Sequence, residues 1–551
     1  MAAPILTVAP AEGKKHFLVI GAGSSGLVVM RELTALGHSV SCFESSAVLG
    51  GVYAKTYDNT ILTTSSLLTA YAEFSDGRED CPKFWTAEEY LDYMRGYAER
   101  FGLLRHVSFS TKVVKIQRMP ETGRWTAWAQ RCSPADAAPN EEEEEAVQEI
   151  AGFNGICICT GTNTWSCRPK FDGEEQFQGQ IIHSECYKTP SDFAGKRVLV
   201  VGAGESGSDI CNEISRHAAA TGMGIRRKHG HIIPRVQRHG RVTDLNTNRC
   251  RYSNPYVLGA WVGWANQHAK RLSLCLARDT PETRVLAKVS ELNLRQGTSA
   301  FSKFGCKNAG FVEAVVCRGA TLHRGAFRLD AAGAAFADGS RFDCDAIVAC
   351  TGYRNAFPFA DETHPDIGEY GRAPRMLYKQ VFHPLYGGEV GYFGFARPAF
   401  GSLPPTAEMQ ARLFALVANG DVALPDAKAM SDAAARDGAE WERRFGDDQR
   451  VKGLVDFQIY LDDLARQMGV LPPLRRLFLT RPRVWLKVMF GPFTTHQYRL
   501  RGPGADAARA LDVYSRQPVG DLLESTITAA FLLAAKVLSL VGFRQLTPNN
   551  F

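Results

Sequence analysis

Two copies of one short pattern constrain this chain more than any other feature. Gly21-Ala22-Gly23-Ser24-Ser25-Gly26 comes directly after the apolar run HFLVI, and Gly202-Ala203-Gly204-Glu205-Ser206-Gly207 directly after RVLVV. After the first turn, LVVMRELTALG has apolar residues at helical spacing and stops at Gly37, and HSVSCFE reads as the next strand. This is a complete βαβ unit. A G-x-G-x-x-G turn lets the backbone approach a pyrophosphate with no Cβ in the way. The helix behind it offers free N–H groups and the positive end of its dipole. Two such units imply two nucleotides, or one nucleotide and a degenerate copy.

The residues downstream of each turn separate the two. Glu44 stands at the end of the second strand, where an acid binds ribose hydroxyls and repels a 2′-phosphate. That suits FAD or NAD. After the second turn no acid occupies the matching place. The run IRRKHGH supplies Arg226, Arg227 and Lys228, and basic residues there accept the 2′-phosphate of NADP. The alternative is a solvated basic turn. Read together, the turns point to FAD first and NADPH second.

At 551 residues the chain exceeds one compact core. The expected class is α/β, with two Rossmann-like dinucleotide-binding domains and a helical C-terminal region. The run NGICICTG, ending at Gly161, is a strand closed by Thr-Gly, and CDAIVACTGYR repeats that ending at Thr351 and Gly352. The repeat suggests that the first domain resumes after the second is inserted into it. The expected boundaries are 14–180 and 338–450 for the FAD domain, 181–337 for the NADPH domain, and 451–551 for the helical region.

The formal net charge of +6 is mild for this length, and no Lys/Arg block carries interleaved aromatics, so nucleic acid is not an expected partner. The 14 cysteines have no repeating spacing and are expected as reduced thiols. No metal site is expected. Glu141 to Glu145 repel one another and read as a solvated insertion between strands. The N-terminus lacks a charged region followed by a long apolar run, so no secretory signal is expected. Ile527 to Phe543 reads ITAAFLLAAKVLSLVGF, at the lower length limit of a bilayer span of roughly 17 residues. It suits either a buried or amphipathic terminal helix or membrane association.

Between the glycine turns, FQGQIIHSECY places Phe177, Gly179, His183 and Tyr187 in an F-x-G-x-x-x-H-x-x-x-Y pattern. With it the chain resembles the flavin-containing monooxygenases, and LYKQVFHP, GFARPAFGSLPPTAEMQAR and GPFTTHQYRLRGPG extend the resemblance to the C-terminal half. Baeyer–Villiger enzymes carry Trp at the last position of the signature, so Tyr187 leans toward the nitrogen- and sulfur-oxygenating branch. The resemblance implies that Gly21 to Gly26 (Ala22, Ser24 and Ser25 included), Glu44, Val52 and Tyr53 contact FAD. It places Gly202, Gly204, Ser206, Gly207, Ser208 and Asp209 along NADP and Arg227 on its 2′-phosphate. Thr351 and Gly352 fall on a further cofactor segment. Where the family has Asn, counting back from Asp76 puts Ser66, with Ser65 able to share its role of holding NADP⁺ and the oxygenated flavin.

The implied reaction is transfer of one oxygen atom from a C4a-hydroperoxyflavin to a soft amine or sulfur nucleophile, consuming NADPH and O2. Partners are then small molecules, an oligomer is left open, and the expected location is the cytoplasm or the cytosolic face of an internal membrane. A Baeyer–Villiger or carbon-oxidising relative is the alternative, and a flavin-binding protein without turnover a further one. A disulfide reductase of the two-dinucleotide class is disfavoured, because GGVYAKTYDNTILTTSS holds no redox cysteine pair.

Overall fold

The computed structural model describes residues 12–75, 77, 79–132, 147–225, 230–237, 240–252, 268, 271–296, 305–446, 452–519, 530 and 534. Strand β1 (His16–Ile20) is buried along its whole length, as a strand covered on both faces must be. It pairs in parallel with β2 (Ser39–Phe43) on one side and with Gly155–Ile158 on the other. Helix α1 (Ser24–Ala35) connects β1 to β2 and turns off at Gly37, whose φ of 82° suits glycine. It packs on the buried helix Leu403–Asn419, which starts with Pro404 and Pro405 in its first turn. The sheet continues through Val107–Ser108 at one edge and through Gly387–Tyr392 and Phe382–His383 at the other.

The second sheet is parallel throughout, in the order Thr321–Arg324, Ala220–Ile225, Arg197–Val201, Ala346–Ala349, Gln180–His183. Its core gathers Val198, Val200, Ile210, Ile214 and Phe311. The architecture is the expected pair of dinucleotide-binding units with helices gathered at the C-terminal end. The expected return to the first domain at residue 338 is corrected. Ala346–Ala349 pairs with Arg197–Val201, and the chain rejoins the first sheet only at Phe382–Tyr392. The Thr-Gly ending recurs because each unit carries its own copy beside its own glycine turn.

Ala427–Phe445, Phe457–Gln467, Leu474–Thr480, Pro482–Phe490 and Ala507–Arg516 make up the helical end. It is tied to the first unit by Arg499, which is buried with Glu32 of α1 at 2.6 Å and Glu408 at 3.1 Å. All 14 cysteines are free thiols. The glutamate run 141–145, Arg226 to Lys228 and the apolar segment 527–543 (positions 530 and 534 apart) lie outside the described residues. Among the described residues, no helix is long and apolar enough to cross a membrane.

Candidate cofactor and active site

The three glycines of each turn differ in what surrounds them. Gly21 has φ of 105°, and a Cβ there would stand 2.7 Å from the Cys159 carbonyl oxygen. A Cβ on Gly26 would fall 1.9 Å from the carbonyl oxygen of Gly21. These two glycines are required by the protein's own packing. Gly23 is not: a Cβ there meets nothing nearer than the Cα of Gly51, at 3.6 Å. The space beside the middle glycine is therefore available to a ligand, which fits a pyrophosphate crossing the turn. The second turn repeats the arrangement. The distances are 2.5 Å from Gly202 to the Cys350 carbonyl oxygen and 1.8 Å from Gly207 to that of Gly202, with nothing within 4 Å of Gly204.

Around the first turn, the Glu44 carboxylate is buried and accepts N–H groups from Ala22 and Ser46, each at 2.8 Å. These bonds fix the acid beside the turn. Ser24 opens α1, and its carbonyl accepts the Tyr71 hydroxyl at 2.8 Å. Ser25 lies against Gly394, where a Cβ would stand 2.4 Å from its Oγ. Val52 and Tyr53 sit in the 3-10 turn Gly51–Lys55 beside Gly23. Val52 is exposed, while Tyr53 packs edge-on to Tyr90 at 4.9 Å and burial pushes its phenol up to about 12.

Not every expected contact of the second turn is free for a cofactor. Ser206 is half-buried in the first turn of helix Glu205–Ile214. Ser208 is fully buried, donating to the Asn308 carbonyl at 3.2 Å and accepting the Phe311 N–H at 3.1 Å. Asp209 accepts both Arg235 Nη atoms at 3.0 and 3.1 Å, the Tyr57 hydroxyl at 3.1 Å and Asn308 Nδ2 at 2.6 Å. Arg235 also donates to the Ile61 carbonyl at 2.9 Å, so this network bridges the two units. Burial lowers the Arg235 guanidinium, but the Asp209 carboxylate outweighs it and the net shift is upward. The Thr351 hydroxyl donates to the Cys167 carbonyl, and the Gly352 carbonyl accepts the Cys167 N–H at 2.8 Å. Arg227 lies outside the described residues.

The serine segment also sorts itself. Both Ser65 and Ser66 are fully buried. Ser66 donates its N–H to the Lys83 carbonyl at 2.7 Å, and its Oγ accepts the Lys83 N–H at 3.4 Å. Its hydroxyl is turned toward Lys83. Ser65 donates its N–H to Asp244 Oδ2 at 2.6 Å, and its Oγ has no hydrogen-bond partner. The geometry favours Ser65 over Ser66 as the hydroxyl available to a bound group. His183 ends its strand with its ring edge-on to Tyr353 at 5.4 Å and Nδ1 accepting the Glu185 N–H, and burial holds it below its usual value. Residue reading missed Tyr57, Arg235, Asn308 and Lys307, whose partners lie far away in the chain. The only hint was that Glu205 and Asp209 stand one helical turn apart behind the second glycine turn.

A family model for flavin-binding monooxygenase-like proteins matches residues 14–517. The chain belongs to this family. It is 31% identical to a 4-hydroxybenzoate brominase (decarboxylating) of Pseudoalteromonas luteoviolacea, over 89% of this chain and 90% of that one. It is 30% identical to flavin-containing monooxygenase 5 of Cavia porcellus, again over 89% and 90%. Its fold matches S-allyl-L-cysteine S-oxygenase from Allium sativum, with a TM-score of 0.57, 20% identity and 91% and 99% of the two chains covered. It also matches NADP⁺-bound cyclohexanone monooxygenase from Rhodococcus sp. Phi1, with a TM-score of 0.55, 16% identity and 83% and 97% covered. The protein is a flavin-dependent monooxygenase, an oxidoreductase using FAD and NADPH. Its substrates are a small molecule and O2.

Proposed function

We propose that this monooxygenase oxygenates a soft nitrogen or sulfur nucleophile. FAD lies along Gly21 to Gly26, and NADPH lies along Gly202 to Gly207. The observation that carries the placement is the open space beside Gly23 and Gly204, against the closed packing of the glycines that flank them. By sheet membership, the FAD unit comprises β1 to Ile158 and Phe382 to Asn419, and the NADPH unit runs from Gln180 to Gly352.

When bound, NADPH supplies a hydride and the reduced FAD activates O2, so that one oxygen atom reaches the substrate and the other leaves as water. The chain's own residues bind, orient and exclude water. Glu44, fixed by the Ala22 and Ser46 N–H groups, has carboxylate lone pairs left for ribose hydroxyls. Tyr53 offers a flat surface next to the first turn. The Asp209–Arg235–Tyr57 bridge keeps the two units in one relative position, which a hydride transfer between their ligands needs. Ser65 holds its buried hydroxyl beside the Asp244 carboxylate, with no hydrogen-bond partner of its own.

Support for a nitrogen or sulfur nucleophile comes from Tyr187 in the signature and from relatives such as dimethylaniline monooxygenase [N-oxide-forming] 2 of Cavia porcellus, 29% identical over 96% of this chain. Tyr187 is buried, donates to Glu213 at 2.8 Å and stacks near Phe193. The brominase relatives favour a second reading, in which the soft nucleophile is bromide. The test is NADPH consumption with product analysis for a tertiary amine, a thioether, a cyclic ketone, and bromide with 4-hydroxybenzoate. An N-oxide or sulfoxide supports the first reading and a brominated phenol the second. A lactone from the ketone alone would overturn both.

A further inference from the structure

Buried polar atoms without partners collect at one place between the two units. Glu205 opens the helix behind the second glycine turn; its Oε1 accepts the Lys307 N–H at 2.7 Å, and its Oε2 is buried with no hydrogen-bond partner. Lys307 extends from there and donates to the carbonyl of Gly401, just before the first-unit helix Leu403–Asn419. Asp244 lies within the field of the same ammonium group. Its Oδ2 takes the Ser65 N–H, and its Oδ1 is a second buried orphan. The fully buried Ser65 Oγ, beside the Asp244 carboxylate, is the third. Buried polar groups left unpaired in a native fold call for an explanation, and a bound polar ligand is one.

We propose that Glu205, Lys307 and Asp244 form the polar seat for the nicotinamide ribosyl half of NADPH. This rests on the reading that the second glycine turn holds NADPH. A dinucleotide crossing Gly202 to Gly207 has its adenosine end at the strand Ala220–Ile225, which residues 226–228 follow directly. Its other end then faces the first unit, where Lys307 meets Gly401 and Asp244 meets Ser65. The chemistry of that end matches the orphans. Ribose hydroxyls and the carboxamide NH2 are donors for the free carboxylate oxygens, and the carboxamide oxygen is an acceptor for the ammonium. An apolar substrate would leave these buried oxygens unpaired. Lys307 also offsets Glu205, which otherwise sets a negative charge in the first helical turn, beside the phosphates. Burial, with Arg397 nearby, brings Lys307 down to about 8 against the opposing pull of Glu205 and Asp244, and burial raises the Glu205 carboxyl.

The test is calorimetric titration of the flavin-loaded protein with NADP⁺ and, separately, with adenosine 2′,5′-bisphosphate, which lacks the nicotinamide half. Lys307→Met and Glu205→Gln should each weaken NADP⁺ roughly tenfold and leave the bisphosphate within about twofold. Flavin absorbance and melting temperature report whether each variant has folded. Should Lys307→Met fail to fold, the near-isosteric Glu205→Gln carries the test. Unchanged NADP⁺ binding, or equal weakening of both ligands, would overturn the seat. If the unmodified protein bound NADP⁺ but not the bisphosphate, the placement of NADPH on the second turn would fall instead.

Discussion

Replacing Asp209 by Ala removes one carboxylate that accepts four hydrogen bonds. Arg235 contributes two of them, and the side chains of Arg235 and Asp209 are each only 15% exposed. Tyr57 and Asn308 supply the other two. Breaking a buried ion pair from one side costs about 3–5 kcal/mol, because the remaining charge is left desolvated. Arg235 keeps the Ile61 carbonyl and some solvent, so the lower end, about 3 kcal/mol, is expected. For a protein of this size that is a drop in melting temperature of a few degrees. Because the network joins the units, flavin reduction at saturating NADPH should slow as well, followed anaerobically at the flavin absorbance maximum. The double variant Asp209→Ala/Arg235→Met tests whether the stranded charge is the cause. Removing that charge should return part of the lost stability, so the double variant should melt above Asp209→Ala. A double variant that melts no higher than Asp209→Ala, or an Asp209→Ala protein with unchanged melting and reduction, would refute this account.

Four further outcomes are expected. Gly23→Asp fills the one open position of the first turn and puts a charge where a pyrophosphate passes, so the purified protein should lack flavin absorbance; normal flavin content would remove FAD from that turn. Arg227→Ala should raise the Michaelis constant for NADPH by a factor matching roughly 1.5–3 kcal/mol and leave that for NADH unchanged, and equal effects on both would give the basic turn another purpose. Ser65→Ala should release more hydrogen peroxide per NADPH than Ser66→Ala does, since the Ser66 hydroxyl is already bound to Lys83; the reverse order would restore Ser66 to the role. His496 is 1% exposed, and burial, reinforced by Arg509 and Arg499, lowers it to about 3. The unfolded chain therefore binds its proton first, and stability falls as pH drops below about 6.5, by about 2 kcal/mol at pH 5 from this group. His496→Phe should flatten that part of the acid-melting profile, and an unchanged profile would place the acid sensitivity elsewhere.

The features legible in the residues are those that depend on short spacing. The glycine turns, the helices behind them and Glu44 all lie within one βαβ unit, and the Ala22 N–H on Glu44 closes that unit across 22 positions. The strand Ala346–Ala349 falls to the wrong sheet on sequence grounds for the same reason. Its Thr-Gly ending is a local feature that both units share, and only pairing with Arg197–Val201 decides between them. Asp209 shows the limit from the other side. Its position behind the second turn suggests a cofactor contact, whereas its partners at 57, 235 and 308 are brought to it by folding alone. Counting along the chain selects Ser66. The count does not say which hydroxyl Lys83 occupies, and that is what leaves Ser65 free.

The two turns are nearly alike in their glycine packing and differ in where each unit keeps its acid. In the first, Glu44 stands at the end of β2 and is held by backbone N–H groups. An acid there selects against a 2′-phosphate. In the second, that end is followed by Arg226 to Lys228, and the acid has moved to Glu205, in the first turn of the helix. A carboxylate in that position opposes a pyrophosphate unless a cation or hydrogen bonds balance it. Lys307 supplies both, through its N–H to Glu205 and its ammonium reaching Gly401. An acid held by backbone N–H groups at a strand end in one unit is thus matched, in the other, by an acid in the first helical turn that is tied to Lys307.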